Sequence, residues 1–493
     1  MRKSLAFGLC AAFITPLGCT GDDGGNAPGT GPGSGGAGSG AGTAGNPAAG
    51  SGQAGAQVNP QGGGGGGNGS AGSGAGTSSG GAGGGAPLPA TLMERIKAST
   101  VTVSAGVKAG VDNWRIWGRG DLRVAPVYTV PLPNCRTLVC FSSGSEDAPV
   151  ARVVHLDADD KLLGELVAAD GVECRGLAAG EGGQFAALLW DPAAETIAVT
   201  RYDAAGTALG STPLVNDDNH PTDFGIGEAR LEFGAGRYGA YYHVHSDSGH
   251  EGDTLKWVDA ATGAEDTEWA WGCSHSMSNL LRFHPTGGDF LPACVTDCYP
   301  GTDGDFATQS IGGIYLNHDD GKVLDVDAGC NGDVAGELGS AALAPSGYKL
   351  VFNAHQAPAG LGQGSYEQGN KNQDIGFSAI AQNGDPGPVV WLTTTDGDEA
   401  DSSISRYQPM GGAEQYLVGW VEGEDAFKLA LLDPTGAFLE NPIDVTALVK
   451  WGRRDDPFRE HVGGDVVWAW FDDAGSTMLR IARVESGVSP ACQ

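Results

Sequence analysis

A strand, a tight turn of Asp-x-x-Gly-like type and a second strand recur along this chain in seven copies, the last of them truncated. No other feature of the sequence constrains its fold as much. The copies start at Ala151 (ARVVHLDADDKLLGEL), Ile197, Asp253, Gly312, Ile375 and Phe427, and a truncated copy, MLRIARVESG, starts at Met478. Ahead of several copies lies a second pair of short runs, such as SAALAPSGYKLVFNAH and HVGGDVVWAWFDD. Alternation of apolar and polar residues, with β-branched and aromatic enrichment, predicts strands in these runs. A four-stranded unit of this size cannot cover its own apolar faces, so the copies must stack on one another.

Four short strands repeating every 46 to 63 residues resemble the blades of a β-propeller, an all-β fold in which each twisted sheet is covered by its neighbours. Seven hairpins predict seven blades, with six or eight as alternatives. The last hairpin nearly ends the chain, so an N-terminal strand is expected to complete the final blade. Residues 101–107 or 127–132 can supply it. Cys492 would then fasten the seam, with Cys135 or Cys140 as its partner.

The first 87 residues cannot take part in such a core. Residues 20–87 hold 30 glycines and no aromatic residue, Lys or Arg, too little apolar surface to offset the entropy of ordering. All 11 tryptophans lie between Trp114 and Trp470. The predicted organisation is therefore a leader at 1–18, a disordered Gly/Ala/Ser-rich linker at 19–87 and the propeller at 88–493.

The leader itself has a positive start (Arg2, Lys3) and an apolar run from Leu5 to Ile14, too short for a permanent membrane span. With Leu17-Gly18-Cys19 it resembles a bacterial lipoprotein signal. The resemblance implies that Cys19 becomes the acylated N-terminus, so a lipid membrane is an expected partner. Cleavage as an ordinary secretory signal is the alternative. No Asp follows Cys19, which by the family's usual rule implies the outer membrane or cell surface. The spacer would span roughly 45 Å by coil scaling.

Apart from Cys10 in the leader and Cys19, eight cysteines remain, all in the predicted propeller: Cys135, Cys140, Cys174, Cys273, Cys294, Cys298, Cys330 and Cys492. An even number in an exported chain predicts up to four disulfides, with the pairing open. The formal net charge is −32, and such a surface repels nucleic-acid phosphates.

Propeller ligands usually bind on the face formed by the loops after each outer strand and between the two central strands. In this sequence those loops lengthen in the third to fifth repeats: 246–253, 295–306 and 355–374. The loop 271–279 adds to them. Function concentrates in such local insertions.

Several chemistries compete in that sector. Cys273, His275, Cys294 and Cys298 are zinc-type ligands, with disulfide bonding as the alternative. Carboxylates can hold a structural calcium: Asp396, Asp398 and Asp401 are the main set, and Asp303, Asp305, Asp217, Asp218 and Asp223 are others. His250, Glu251, Asp253 and His275 can form an acid/base set, or His275 can activate Ser274 or Ser276. Tyr299, Tyr366, Trp271 and Trp451 can stack on a sugar or peptide, with Asp303 and Asp305 holding hydroxyls. Inter-blade packing is the favoured reading for Trp271, and also for Trp420, Trp468 and Trp470, which fall in predicted strands. His243 and His245 share one strand face.

The leading expectation is a ligand- or partner-binding surface lipoprotein whose ligand is a glycan, a peptide or another protein. A lipid-anchored hydrolase or lyase acting on extracellular polysaccharide is the alternative.

Overall fold

The computed structural model describes residues 91–110, 124–214, 219–220, 228–246, 251–269, 278–286, 288–299, 311–316, 321–326, 336–354, 356, 373–410, 412–423 and 425–488, apart from some strand-end side chains. Within them, seven antiparallel sheets follow one another along the chain and form a seven-bladed β-propeller.

Blade 1 runs Tyr128–Pro131, Thr137–Gly144, Pro149–Leu156, Leu162–Asp170, and blade 2 runs Glu173–Ala179, Phe185–Asp191, Thr196–Tyr202, Ala208–Pro213. Blade 3 is Ala229–Gly234, Arg237–Ser246, Glu251–Asp259, Glu265–Trp269, with the short Asn219–His220 pairing the far end of its second strand. Blade 4 is Ser278–His284, Asp289–Tyr299, Ile311–Leu316, Gly321–Val326. Blade 5 is Gly336–Ala344, Gly347–Ala354, Asp374–Ala381, Val390–Trp391. Blade 6 is Glu399–Tyr407, Gln415–Glu422, Ala426–Leu432, Phe438–Asp444.

Blade 7 has only three strands from its own repeat: Arg459–Glu460, Val466–Trp470 and Met478–Val484. The fourth is Ile96–Thr102, which pairs antiparallel with Met478–Val484 over seven residues, from Ile96 opposite Val484 to Thr102 opposite Met478. The N-terminal closing strand expected from sequence is therefore present, but it begins five residues before the expected 101–107. The other expected segment, 127–132, instead contains the innermost strand of blade 1. The closing strand was hard to read because Lys97 is exposed, Ser99 and Thr100 are half-buried, and only Ile96 is fully inward.

Packing follows the same count. The apolar core divides into seven clusters, and each lies between two successive blades. Leu291, Val295, Leu350 and Phe352 fill the space between blades 4 and 5, and Val139, Phe141, Val467 and Ile481 fill the space between blades 7 and 1. Every sheet thus hides both faces against a neighbour, and closing the ring leaves none uncovered. Burial of this kind contributes about 25 cal/mol per Å² of apolar surface. Trp420, Trp468 and Trp470 are all buried in these clusters, as expected. Trp451 is buried as well, against Phe427, Phe458 and Trp468. Its indole N–H donates to the Asp401 carbonyl at 3.0 Å, so it is a core residue and not a stacking platform.

The recurring turn aspartates have a local cause. Asp203 accepts the backbone N–H groups of Ala205 and Thr207 at 2.9 and 2.8 Å, and Asp433 accepts those of Thr435 and Ala437 at 2.8 and 3.0 Å. The side chain stands in for a backbone acceptor and closes the turn. The following glycine has positive φ, 84° at Gly206 and 91° at Gly436. In blade 1 the equivalent position is Asp160 at φ 60°. A non-glycine residue there is strained, and its carboxylate explains its presence. Asp160 grips Arg483 of blade 7 at 2.6 and 3.0 Å, across the seam where the ring closes.

Cys140, on the second strand of blade 1, is disulfide-bonded to Cys174 on the first strand of blade 2, with Cα atoms 6.3 Å apart. That pairing removes Cys140 as a partner for Cys492. Cys135 and Cys294 are also disulfide-bonded. Cys19, Cys273, Cys330 and Cys492 lie outside the described residues, and so does the side chain of Cys298.

Candidate functional site: the long-loop face

Because strands alternate in direction, the connections between second and third strands share one face with the crossings from blade to blade. On that face the blades are unequal. Blades 1, 2, 6 and 7 join their second and third strands by 145–148, 192–195, 423–425 and 471–477. Blades 4 and 5 use 300–310 and 355–373. Blade 3 differs from expectation. Its strands continue to Ser246 and from Glu251, so the connection is only 247–250 and the sheet itself is taller. In blade 4 the strand Asp289–Tyr299 likewise takes in the first part of the expected loop.

The described residues beneath these loops are polar and buried. On blade 3, His243 lies directly opposite Asp253, and His245 opposite Glu251. Facing pairs point to the same side of a sheet, and Tyr241 and Leu255 of that face pack toward blade 4 with Leu281 and Tyr315. The Tyr241 hydroxyl donates to Asp253 Oδ2 at 2.5 Å. From the first strand of blade 4, the Asn279 side-chain amide donates to the Glu228 carbonyl at 3.2 Å. Tyr241, His243, Asp253 and Asn279 are each 3% exposed or less.

Beneath the blade 5 loop lies a second polar cluster. Asn353 Nδ2 donates to Gln373 Oε1 at 2.5 Å. The Thr395 N–H and Gln356 Nε2 donate to the two oxygens of Asp374, at 3.0 and 2.7 Å. Glu399 accepts from the Thr395 hydroxyl at 2.5 Å. Burial pushes the Glu399 carboxyl up to about 7, against the lowering effect of its threonine hydrogen bonds.

The central channel is occupied by the protein's own chain. The segment leading into blade 7 lies across it: Asp455 accepts the Val127 N–H at 3.1 Å, and Arg230 donates to the Arg454 carbonyl at 3.3 Å. Burial pushes the Asp455 carboxyl up to about 7. Asp456, 1% exposed, is gripped by both forks of the Arg282 guanidinium from blade 4 and by Arg459 at 2.6 Å. Glu232 of blade 3 binds the same two arginines at 3.1 and 2.9 Å. Burial alone would raise Asp456, but the two guanidiniums hold it well below the usual carboxylate range. Arg282 also donates to the Ala341 carbonyl of blade 5 at 2.7 Å. These charges pin blades 3, 4, 5 and 7 together. They are paired with one another.

The structure brings the expected site residues together only in part. Asp253 is fully buried and bound to Tyr241. Glu251 is on the same strand, with its side chain outside the described residues. His250, His275, Ser274, Ser276, Trp271, Tyr366, Asp303, Asp305, Asp217, Asp218 and Asp223 lie outside them, as do the side chains of His245 and Tyr299. Among the described residues no three His, Cys, Asp or Glu side chains are placed to hold one ion. Asp396, Asp398 and Asp401, the expected calcium set, do not form such a group, and Asp401 sits at φ 50° at a strand irregularity. The expected zinc set fails at Cys294, whose sulfur is held in a disulfide. Sequence reasoning missed Tyr241, Asn279, Thr393, Asp374 and Glu399. Asn279, Thr393, Asp374 and Glu399 sit at or near a strand end, Tyr241 sits mid-strand, and none belongs to a spaced motif.

No family model matches the chain, and no curated protein does. Solved structures with a similar chain path include the BP39L lectin from Burkholderia pseudomallei, 12% identical, with a TM-score of 0.43 over 73% of this chain and 98% of that one. The β-propeller domain of the Trilobed protease from Pyrococcus furiosus is 10% identical, with a TM-score of 0.37 over 74% and 97%. An endo-arabinase from Bacteroides thetaiotaomicron VPI-5482 is 11% identical, with a TM-score of 0.28 over 62% and 89%. Likeness at this level concerns the fold alone. The architecture described above rests on the strand pairing itself.

Proposed function

We propose that this chain is an exported lipoprotein, anchored through Cys19 at the outer membrane or cell surface, whose propeller captures a ligand on its long-loop face at blades 3 to 5. A glycan, a peptide or a partner protein is the class of ligand that such a face accepts. The observation that carries this reading is the inequality of the loops. In a ring of near-identical blades, only blades 4 and 5 insert 11 and 19 residues between their second and third strands. Insertions on a rigid scaffold add recognition surface without disturbing the core. Binding is favoured over catalysis because Asp253, the one described member of the expected acid/base set, is sealed against Tyr241.

The test is a glycan and peptide array probed with the full chain and with a variant in which 357–372 is replaced by a two-residue turn. Loss of the bound hits in the variant, with thermal stability retained, supports the reading. Hits that bind the variant equally well overturn the site. Cleavage of a bound polysaccharide would replace the binding role by the hydrolase or lyase alternative.

A further inference from the structure

The hairpin between the third and fourth strands of blade 5 is irregular, and the irregularity opens a hollow. Pro386 and Pro388 lie where the fourth strand should run, and a proline has no N–H to give to a strand ladder. The fourth strand is cut to Val390–Trp391, apart from an isolated bridge between Ile380 and Pro386. A cavity of about 270 Å³ remains between the turn at 345–346 and the hairpin at 382–389. Both connections lie on the face opposite the long loops. Ligand cavities commonly measure about 300–1,000 Å³, so this one suits a small molecule.

Lys349 stands in the cavity wall, on the second strand of blade 5 and directly opposite Ala379. The two side chains therefore share one side of the sheet. Among the described residues Lys349 forms no ion pair and no side-chain hydrogen bond; its ammonium lies 6.0 Å from the centre of the Tyr416 ring of blade 6. The carboxylates around it are engaged elsewhere. Asp385 accepts from Asn383 Nδ2 at 2.6 Å, Glu414 from the Tyr416 hydroxyl at 3.0 Å, and Asp433 from the N–H of Thr435 in its own turn. Burial lowers the ammonium from the ordinary lysine range, and the charges of Glu414 and Asp433 offset this only in part. A half-buried cation without a counter-ion is stabilised by an anion that reaches it.

We infer that this cavity binds a small carboxylate, whose anionic end pairs with Lys349 while its carbon skeleton rests against Ala379 and Gly387. An ammonium–carboxylate hydrogen bond belongs to the stronger, charge-assisted kind. Gly387 and Ala379 lie side by side, the Gly387 N–H donating to the Ala379 carbonyl at 2.8 Å, so nothing larger than a methyl group obstructs the skeleton. Two sources share this chemistry, a short-chain fatty acid and a hexuronic acid. A hexuronic acid would also bring hydroxyls to Ser346 and Asp385, which are exposed at the rim. The site is independent of the ligand capture proposed for the long-loop face.

The test uses the full chain, with butyrate and glucuronate as probes and butanol and glucose as uncharged controls. Lysines are acetylated with a limiting amine reagent and mapped by peptide mass spectrometry. A carboxylate at about four times its Kd should slow labelling of Lys349 about fivefold. The exposed Lys97 and Lys161 should react as before. Protection by butyrate alone, by glucuronate alone or by both supports the site and says which skeleton it takes. In Lys349→Met, which keeps the stem and removes the charge, calorimetry should show binding weakened about tenfold. Lys349→Arg should retain it. The labelling arm uses only the wild-type chain, so a misfolded variant cannot hide the result. No protection by either carboxylate, equal protection by the uncharged controls, or undiminished binding in a folded Lys349→Met would each overturn the site.

Discussion

The seam sector, blades 6, 7 and 1, and the loop sector, blades 3 to 5, are built from the same repeat and put it to opposite uses. At the seam the connections on the long-loop face are three, seven and four residues (423–425, 471–477, 145–148), and the space between sheets is crowded with aromatic rings. Arg483 reaches across it to Asp160, and a borrowed N-terminal strand completes the last sheet. In the loop sector the blade 3 and blade 4 sheets grow taller, the blade 4 and blade 5 connections lengthen, and buried polar groups gather toward the strand ends, while rings such as Trp257, Phe290 and Tyr315 still fill the space between blades 3 and 4. The difference shows how a propeller separates its tasks. Closure needs complementary packing at one place in the ring, which leaves the opposite sector free to carry insertions.

That comparison can be broken most forcefully at Trp468. It is fully buried between blades 6 and 7, with Trp451 and Phe458 against it. Trp468→Ala should destabilise the propeller by about 3–5 kcal/mol through transfer and cavity terms. Chemical denaturation would measure it, and a loss under 1 kcal/mol would mean that the seam is not where stability is concentrated.

Next in size is Asp456→Ala, which leaves the buried guanidiniums of Arg282 and Arg459 facing only Glu232. The expected loss is about 3 kcal/mol, typical for breaking a buried pair. Its sign with pH is fixed by the depressed carboxyl. The stabilisation is present above about pH 4 and is lost as pH falls toward the folded value, so wild type and variant should converge in acid denaturation.

A smaller effect is expected for Asp160→Gly. Glycine suits the positive φ, which recovers about 1 kcal/mol of strain, but Arg483 loses its bidentate partner. A net loss of about 2 kcal/mol follows if the ion pair outweighs the strain. Measured stabilisation would show that the turn geometry dominates.

The smallest change in stability is expected for replacement of 357–372 by a short turn. Shortening a connection between strands alters closure entropy by roughly 1 kcal/mol. The same variant is expected to lose ligand capture, which makes it the sharpest contrast with the seam variants.

Much of the fold was legible in the residues. Hairpins with an Asp- or Asn-containing turn marked the outer half of blades 1 to 6, because a turn aspartate serves its own backbone and that need is local. Seven copies therefore meant seven blades. The closing strand was placed a few residues late, since Ile96–Thr102 is an edge strand whose alternation is weak. The candidate site was less legible. Its sector could be located from loop length, but Tyr241, Thr393 and Glu399 come from separate strands and acquire a role only when sheets are stacked.

Sequence by itself determined the repeat, the number of sheets, the polar turns and the glycine-rich stretch with nothing to bury. Each of these follows from residues within a few positions of one another. Only the tertiary structure decided which strand closes the ring, that Cys140 pairs with Cys174, that the chain plugs its own channel around Asp456, and that Glu399 and Asp374 share the Thr393 hydroxyl. Those contacts join residues tens to hundreds of positions apart. Burial sets their energies, and burial belongs to the assembled ring.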